Sequence, residues 1–323
     1  MVPAYLLRTE PAFRDYLWGG RNLESVLNKR LPATGVWAES WEVVDHDEHQ
    51  SVVSNGPFAG KTLREVAQAD RQWLFGSNSS LERLPLMLKY LDCQRALSVQ
   101  VHPDDKYAQQ MSQPDLGKTE AWYIIDAEPG AVLYAGLKGG VEKEDLIQAI
   151  ESGNVEACLH RIQPQAGDCV FIPAGTVHAL GAGLLVAEIQ QASNTTFRLF
   201  DWNRVDAHGK PRALHVEKSL EVIDFSSGPQ PLQVPQSTSQ AGRDRLVVCE
   251  KFVLDRITGA TELGVAGEGT FHLLTVPRGR VTLSTPAEEV VLEPGESVFV
   301  PACMPRLRAA LSSDTILLDM YLP

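Results

Sequence analysis

The chain has 323 residues, 44% of them hydrophobic, so it can bury a large core as one large domain or two ordinary ones. A formal charge of −12 disfavours nucleic acid or an anionic membrane as a partner, and an anionic small substrate would need a local basic pocket. The sequence has neither a signal-peptide pattern nor an apolar run of about 20 residues, so we predict a cytoplasmic protein. Five scattered cysteines with no C-x-x-C pair predict buried, reduced thiols.

Predicted strands with two helices make up most of the first 200 residues. β-Branched and aromatic residues predict strands within 36–53, and apolar spacing predicts a helix over 60–76. Two further strands are predicted within 84–102, and a second amphipathic helix is predicted over 141–152. Short runs punctuated by Gly and Pro fill 163–202, a pattern typical of a β-sandwich or a barrel.

The last third of the chain repeats part of the preceding sequence. Residues 226–243 are rich in Ser, Pro, Gln and Gly, which indicates a linker or a long surface loop. Beyond it, GESVFVPACMPRLR at 295–308 aligns without a gap with GDCVFIPAGTVHAL at 167–180. The match predicts two copies of one jelly-roll sandwich, and a common hairpin phrase is the alternative explanation.

Polar side chains of metal-ligand type alternate with apolar ones in two neighbouring predicted strands, LSVQVH and KTEAWYII. Residues two apart in a strand share a face, so Ser98, Gln100 and His102 are predicted to point one way. Lys118 and Glu120 share a face in the same manner. A half-buried sheet with one solvated face is the alternative explanation for this alternation.

Gln100, His102 and Glu120, with His178 from a later hairpin, form a candidate metal site. One amide oxygen, two imidazoles and one carboxylate suit zinc, manganese or ferrous iron, and zinc is the first expectation. Such a set leaves room for a water or a substrate oxygen, as a catalytic site requires. The alternatives are a core histidine at His178 and an ion pair between Glu120 and Lys118.

The second copy is predicted to lack this site. In the aligned repeat Arg306 falls opposite His178, and residues 270–290 offer no counterpart of the other three ligands. We therefore predict one metal ion per chain. The remaining histidines show no partner pattern and are predicted to be structural or solvated, namely His46, His49, His160, His208, His215 and His272.

Two basic residues accompany the candidate site. Arg198 lies in the alternating run TTFRLFDW, which predicts its guanidinium on the face opposite its apolar neighbours. It could pair with Asp201 or Glu188 in a structural role, or it could bind a substrate phosphate or an enediolate oxygen. A metal beside Lys118 would favour the neutral amine, which is the form that accepts a proton.

The phrases LSVQVHPDD, KTEAWYII and IPAGTVHALGAGLLVAEIQQASNTTFRLFDWNRV together resemble the type I mannose-6-phosphate isomerases in their short bacterial form. The resemblance runs from WGG at 18–20 through NGPFAGKTLREV at 55–66 to Val205, and it is weaker in the last third. It implies a mainly β fold, with two jelly-roll (cupin) β-sandwich lobes and a few helices.

The resemblance also implies roles for individual residues. The family's zinc ligands, carried over by position, fall on Gln100, His102, Glu120 and His178. Its essential arginine falls on Arg198 and its lysine on Lys118, which gives both a catalytic and a substrate-binding role. Ser98 and Arg204 are added as substrate-binding candidates, and a solvated surface position explains Arg204 equally well. Thr119 stands where the family usually has proline, a change that we expect to be tolerated.

The implied reaction is the interconversion of mannose 6-phosphate and fructose 6-phosphate through a cis-enediol, with one Zn²⁺ or another divalent ion per chain. We expect a small sugar phosphate as partner, and a monomer or weak homo-oligomer. The predicted organisation is a catalytic cupin domain with the metal site at 1–228, a linker or long loop at 229–243, and a metal-free cupin-like lobe at 244–323.

Two other functions agree with parts of the pattern. In a cupin oxygenase, His102, Glu120 and His178 would form a 2-His-1-carboxylate iron site, and Gln100 as a fourth ligand argues against it. A non-catalytic sugar-phosphate-binding cupin would keep the pocket alone, and the complete set of metal-ligand and basic residues argues against that. The last lobe is expected to be either structural support or an interaction module.

Overall fold

The computed structural model describes residues 2–205, 209–259 and 262–323. Its helices are α1 (Asn22–Ser25), α2 (Leu63–Ala69), α3 (Arg71–Phe75), α4 (Asp105–Gln109), α5 (Lys143–Glu151) and α6 (Val216–Val222). Short 3₁₀ turns lie at Gly56–Phe58, Gly76–Asn78 and Val155–Cys158. Most of the remaining regular structure is β, so the predicted mainly β class with a few helices is confirmed.

Strands lie along the whole chain. The strands before residue 205 are β1 (Ala12–Arg14), β2 (Glu39–Val43), β3 (Asp45–His46), β4 (His49–Gln50), β5 (Leu86–Cys93), β6 (Val99–Val101), β7 (Glu120–Ala127), β8 (Leu133–Leu137), β9 (Leu159–Ile162), β10 (Cys169–Ile172), β11 (His178–Leu180), β12 (Leu184–Gln191) and β13 (Phe197–Phe200). The later strands are β14 (Gln236–Ser237), β15 (Arg243–Val248), β16 (Val253–Thr258), β17 (Glu262–Val265), β18 (His272–Arg278), β19 (Val281–Ser284), β20 (Glu289–Leu292), β21 (Ser297–Val300), β22 (Leu307–Leu311) and β23 (Ile316–Tyr321).

The chain folds into two compact units. The central unit comprises Leu17–Gly20 and Leu91–Gln233, and the terminal unit comprises Met1–Tyr16, Arg21–Tyr90 and Val234–Pro323. This division differs from the predicted one, in which residues 1–228 form one domain. The boundary after Gln233 lies inside the predicted linker at 229–243, which also contains the short strand β14.

Apolar residues near the N-terminus explain the difference. Leu6 is buried in the core formed by the C-terminal strands. Leu7 and Phe299 exchange two backbone hydrogen bonds, of 2.9 and 3.0 Å, and Ala302 donates its N–H to the carbonyl of Leu74 at 3.0 Å. These segments bury their apolar surface in the terminal unit. The sequence identifies a segment as hydrophobic, but its composition does not show which core the segment joins.

The central unit is a sandwich of two antiparallel sheets. One sheet contains β12, β7 and β10, and the other has the order β13-β6-β11-β8-β9. A core that includes Trp122, Leu133 and Val170 lies between them. On the other face of β6, Val99 and Val101 belong to a second core that includes residues of α5. The polar residues that alternate with these valines therefore lie on the face of β6 that is turned towards the interior of the sandwich, where Gln100 is partly exposed.

The terminal unit repeats this strand order. Its sheets have the orders β14-β15-β16-β23-β18-β21 and β17-β22-β19-β20, and a core that includes Val276, Leu283 and Val298 joins them. The order β23-β18-β21 matches β12-β7-β10, and β17-β22-β19-β20 matches β6-β11-β8-β9. The predicted pair of jelly-roll sandwiches is therefore confirmed.

The predicted helix over 60–76 is divided into α2 and α3. Asp70, with φ −158° and ψ 88°, leaves the helical conformation, and its carboxylate accepts the N–H of Trp73 at 2.9 Å. An aspartate that caps the next helix interrupts the first one, because its side chain competes for backbone N–H groups. The helix predicted over 141–152 corresponds to α5, with Leu146 and Ala149 buried.

Two simpler expectations concern membranes and thiols. Within the part of the chain that the structure describes, no helix is long and apolar enough to cross a membrane. All five cysteines are free; Cys93, Cys158 and Cys169 are buried, whereas Cys249 is partly exposed and Cys303 is exposed. The prediction of buried thiols therefore holds for three of them. His208 lies outside the described residues.

Candidate metal centre

Three side chains of metal-ligand type meet inside the central unit. His102 follows β6, Glu120 begins β7 and His178 begins β11, and their ligand atoms lie within 4.8 Å of one another. Glu120 Oε1 is 3.4 Å from His178 Nε2, and Glu120 Oε2 is 3.6 Å from His102 Nε2. All three residues are buried. The two sheets of the sandwich thus bring together ligands that are far apart in the sequence.

Backbone carbonyls determine which nitrogen of each ring faces the carboxylate. His102 Nδ1 lies 2.9 Å from the carbonyl oxygen of Thr195, and His178 Nδ1 lies 2.8 Å from that of Thr176. A carbonyl oxygen only accepts, so each Nδ1 is the donor and each Nε2 lone pair is left for a ligand bond. Burial lowers the pKa of His178 to about 4, so the ring is neutral at neutral pH.

The cluster fits a divalent cation. Two imidazole nitrogens and one carboxylate are donors that zinc and related ions accept. His178 Nε2 is buried without a hydrogen-bond partner and faces a carboxylate oxygen, so two electron-rich atoms lie close together. A cation between them would convert this unfavourable contact into two favourable ones, and the Nδ1–carbonyl bonds are the outer-shell support that metal-binding histidines usually have.

Gln100 lies on the same inner face. It is paired across the ladder with His178 on one side and with Arg198 of β13 on the other. Directly paired residues project to the same side of a sheet, so the three side chains form a row beside His102. This position is compatible with the predicted amide ligand, and the role of Gln100 stays a prediction.

Lys118 and Glu188 extend the cluster with a second pair of charges. Lys118 Nζ lies 2.9 Å from Glu120 Oε2 and 4.0 Å from Glu188 Oε1, and both Lys118 and Glu188 are buried. The indole N–H of Trp122 donates to Glu188 Oε2 at 3.2 Å. From the sequence, Glu188 is predicted only as a possible partner of Arg198. The signal that could have found it is a carboxylate in β12, a strand with all eight residues buried.

Arg198 is held through its backbone by His215. Its N–H donates to His215 Nδ1 at 3.2 Å, and its carbonyl accepts the N–H of His215 at 2.7 Å. The side chain is partly exposed between the buried Phe197 and Leu199, which agrees with the predicted alternation. The row with Gln100 and His178 brings Arg198 to the same sheet face as the cluster, and its substrate-binding role stays a prediction.

The other two substrate-binding candidates differ in their surroundings. Ser98 is buried, two residues before Gln100. Arg204 donates to the carbonyl of Ala96 at 2.5 Å and forms an ion pair with the carboxylate of Asp201. These contacts give its guanidinium a structural role, and contact with substrate stays a prediction for both residues.

Thr119, the departure from the family pattern, is hydrogen-bonded. Its backbone N–H donates to Gln191 Oε1 at 3.1 Å, and its Oγ1 accepts the N–H of Ala174 at 3.3 Å. A proline at this position has no N–H and could not make the first bond. Thr119 is therefore stabilised by two hydrogen bonds directly before Glu120, the first residue of β7.

Fold and site together define a cupin-like protein with two sandwiches and a candidate metal site in one of them. Residues 6–127 match the family model for the catalytic domain of type I phosphomannose isomerase. The mannose-6-phosphate isomerase ManA of Bacillus subtilis is 36% identical over 90% of this chain and 91% of its own length. A probable mannose-6-phosphate isomerase of the same organism, GmuF, is 45% identical over 66% of this chain and 67% of its own length.

Solved structures agree with these relatives. The crystal structure of a mannose 6-phosphate isomerase from Bacillus subtilis superposes with a TM-score of 0.88 at 32% identity, covering 98% of this chain and 99% of that one. A putative mannosephosphate isomerase from Archaeoglobus fulgidus, at 21% identity, covers 99% of this chain and 98% of that one and shares the fold with a TM-score of 0.77. The chain belongs to the type I mannose-6-phosphate isomerase family. The predicted family and isomerase class are therefore confirmed, and the oxygenase and non-catalytic alternatives are not favoured.

Proposed function

We propose that this protein interconverts mannose 6-phosphate and fructose 6-phosphate at the His102–Glu120–His178 cluster of the central unit. The observation that carries the proposal is the meeting of these three side chains within 4.8 Å, with Lys118 2.9 Å from Glu120, in a chain of this family. The reaction moves one hydrogen from C2 of the open-chain aldose to C1 and one proton from O2 to O1, through a cis-enediol.

His102, Glu120 and His178 would hold one Zn²⁺ per chain, with Gln100 as a fourth ligand. When bound, the ion supplies Lewis-acid stabilisation of the negative charge that develops on the sugar oxygens. The neutral His178 and the hydrogen-bonded Nδ1 atoms support this assignment, because the ligand nitrogens need no deprotonation at neutral pH. Another divalent ion with the same preference for nitrogen and oxygen would be held by the same atoms.

Lys118 and Glu188 are the proposed proton-transfer groups. Each of the two transfers, from C2 to C1 and from O2 to O1, needs a group that accepts a proton and returns it to the neighbouring atom within a water-poor site. The buried ammonium and carboxylate lie 4.0 Å apart, and the indole of Trp122 fixes one oxygen of Glu188. Lys118 also contacts Glu120, so its position is tied to that of the ion-binding carboxylate.

Arg198 is the proposed anchor for the substrate phosphate. A guanidinium binds phosphate through two parallel hydrogen bonds, which allows a local cation to overcome the net charge of −12. Its backbone bonds to His215 limit the motion of this part of β13. Ser98, on the same strand face as Gln100, is proposed to contact the sugar.

The remaining expectations belong to the same proposal. The central unit would be the catalytic unit, and the protein would act in the cytoplasm as a monomer or weak homo-oligomer. Contact of Arg204 with substrate is retained as a secondary proposal, since all three of its guanidinium nitrogens already bind protein oxygens.

A coupled assay on mannose 6-phosphate tests the function. We expect turnover that a chelator abolishes and Zn²⁺ restores, and a fall in kcat/KM of about 100-fold or more in Arg198→Ala, because a charge-stabilising donor is lost. Robust turnover after complete removal of metal, confirmed by elemental analysis, would contradict the proposed mechanism.

The pH profile of Lys118→Met tests the proton-transfer assignment. We expect kcat to fall by about 10²- to 10⁴-fold and one limb of the pH–rate profile to disappear. Lys138→Met is the matched control, since Lys138 is an exposed lysine of the central unit that donates only to the carbonyl of Ala157. An unchanged profile in Lys118→Met would remove Lys118 from the mechanism.

A further inference from the structure

The terminal unit contains a polar pocket of about 640 Å³. This volume lies within the range of about 300–1,000 Å³ that is usual for small-molecule sites. Its walls are unusually rich in hydrogen-bonding side chains for so large a space. They include Ser77, Asn78, Arg245, Thr270, His272 and Arg306.

His272 is the buried polar group of this pocket. Its side chain is 3% exposed, and its Nδ1 lies 2.7 Å from Asp319 Oδ1, where the carboxylate accepts and the ring nitrogen donates. Its Nε2 is buried without a hydrogen-bond partner, and the nearest carboxylate oxygen, Glu268 Oε2, is 3.7 Å away. Because His272 lines the pocket, a ligand there could provide the partner that Nε2 lacks.

The strand register relates His272 to the metal-site carboxylate. In the central unit Ile172 of β10 pairs with Glu120, and in the terminal unit Val300 of β21 pairs with His272. Ile172 and Val300 are matching residues in the two aligned segments of the internal repeat. His272 therefore occupies the place of Glu120, although the sequence alignment shows no counterpart for it.

Two further positions follow from the same register. Glu188 pairs with the residue two beyond Glu120, and Asp319 pairs with the residue two beyond His272, so these two carboxylates correspond. Arg306 aligns with His178 in the repeat, and it also lines the pocket. The pocket of the terminal unit is thus located where the central unit has its metal-ligand cluster.

The replacements reverse the charge that the location can bind. Where the central unit has the carboxylate of Glu120 and the imidazole of His178, the terminal unit has the imidazole of His272 and the guanidinium of Arg306. A guanidinium has no lone pair for a metal and presents only donors, which favours a phosphate or carboxylate. Arg306 makes a single long hydrogen bond, of 3.5 Å to the carbonyl of Gly264, and Arg245 uses Nε and Nη2 for Asp255 and Tyr321, which leaves Nη1.

Gly264 of β17 leaves space for the side chain of Arg306. A Cβ built on Gly264 would lie 2.0 Å from Arg306 Nε, and one built on Gly267 would lie 2.4 Å from the Arg306 backbone. Gly264 is in an extended strand that any residue can adopt, and a larger residue there would displace the exposed side chain of Arg306. The two glycines therefore leave the space that Arg306 occupies at the pocket wall.

We propose that this pocket is a second ligand site, specific for a phosphorylated sugar. Its phosphate would bind Arg306 and Arg245. Its hydroxyl groups would donate to His272 Nε2 and bind the Ser77, Asn78 and Thr270 side of the pocket. Glu268 Oε2 lies 3.7 Å from His272 Nε2 and, as an acceptor only, favours a ligand with hydroxyl donors over a bare phosphate.

Calorimetric titration of the full-length, metal-loaded Arg198→Ala variant with mannose 6-phosphate tests this proposal, since that variant weakens the first site. We expect one saturable site per chain, and a loss of affinity of at least about tenfold when Arg306→Gln is added. Arg308→Gln is the matched control, because Arg308 lies in β22 two residues after Arg306, is paired with Glu262 and does not line the pocket. The double variant Arg198→Ala, Arg308→Gln should bind mannose 6-phosphate with the same affinity as Arg198→Ala alone.

Inorganic phosphate and unphosphorylated mannose separate the two halves of the ligand. We expect phosphate to compete weakly and mannose not to bind in the millimolar range. The absence of saturable binding in Arg198→Ala, or binding that Arg306→Gln leaves unchanged, would overturn the site. Phosphate binding as tight as mannose 6-phosphate binding would overturn its specificity for a sugar. Because the titration measures binding, its result is independent of whether the enzyme turns over.

Discussion

The two sandwiches place different side chains at the same ladder positions. In the central unit Glu120 lies between His102 and His178, and the three ligand atoms lie within 4.8 Å. In the terminal unit the place of Glu120 belongs to His272, which lies between Asp319 and Glu268. The shortest imidazole–carboxylate distances differ, 3.4 Å between His178 and Glu120 and 2.7 Å between His272 and Asp319.

This comparison separates the contribution of the scaffold from that of the residues. Antiparallel register determines which positions face the interior of a sandwich and which meet there. The residues at those positions then decide whether the location offers lone pairs to a cation or hydrogen-bond donors to an anion. One jelly-roll framework therefore supports a metal-ligand cluster in one unit and a basic pocket in the other.

Removing the central carboxylate should have the largest effect. In Glu120→Gln we expect loss of bound metal and a fall in kcat/KM well beyond the roughly 10- to 100-fold that loss of an outer-shell partner costs. Glu268→Gln is the control from the terminal unit, and it should keep full metal content and activity. Elemental analysis and the coupled assay measure both. A variant Glu120→Gln that retains stoichiometric metal would show that the two units do not differ as described.

The buried charges of the terminal unit should matter for stability instead. Asp255 is fully buried and accepts from Arg243 and Arg245, each at 2.8 Å. Asp255→Asn removes the carboxylate that pairs with Arg245 and leaves Arg243 with Asp319, so we expect a loss of about 3–5 kcal/mol in the free energy of unfolding.

Urea denaturation measures that loss. Glu262→Gln breaks the exposed ion pair with Arg308 in the same unit and should cause no measurable change. Equal midpoints for Asp255→Asn and the wild-type protein would mean that the buried network does not stabilise the terminal unit.

Gly264→Ala tests the comparison by adding a single methyl group next to Arg306. Its Cβ would collide with Arg306 Nε, so the guanidinium must move away from the pocket. We expect the affinity of the second site for mannose 6-phosphate to fall by about tenfold, while isomerase kcat/KM stays unchanged. Titration and the coupled assay on the same preparation report the two results. A change in kcat/KM without a change in binding would contradict the assignment.

Thr119→Pro should have the smallest effect. It restores the residue usual in the family and removes the N–H that donates to Gln191, so we expect a loss of about 1 kcal/mol in stability with little change in activity. Thr119→Val keeps the N–H and removes the Oγ1 acceptor, which isolates the other bond. The corresponding residue in the terminal unit is Phe271, whose ring stacks on that of Phe299 with a centroid distance of 5.4 Å. This position is therefore polar in the central unit and aromatic in the terminal unit.

The sequence by itself determined the members of the candidate metal cluster. Period-two alternation put Gln100 and His102 on one strand face and Glu120 with Lys118 on the face of another strand. A later hairpin added His178, and the family motifs select the same four residues. Local alternation is readable because a strand turns successive side chains to opposite sides, whatever its neighbours are. For the same reason the partly exposed Arg198 between two buried residues could be predicted.

Only the tertiary structure decided how distant segments combine. It assigned most of the first 90 residues to the terminal unit, brought Glu188 to Lys118, and placed His272 at the position of Glu120. Each result depends on which strands pair and in which register, and on which core an apolar segment enters. Those choices are made by contacts between residues far apart in the chain, so local sequence patterns do not encode them.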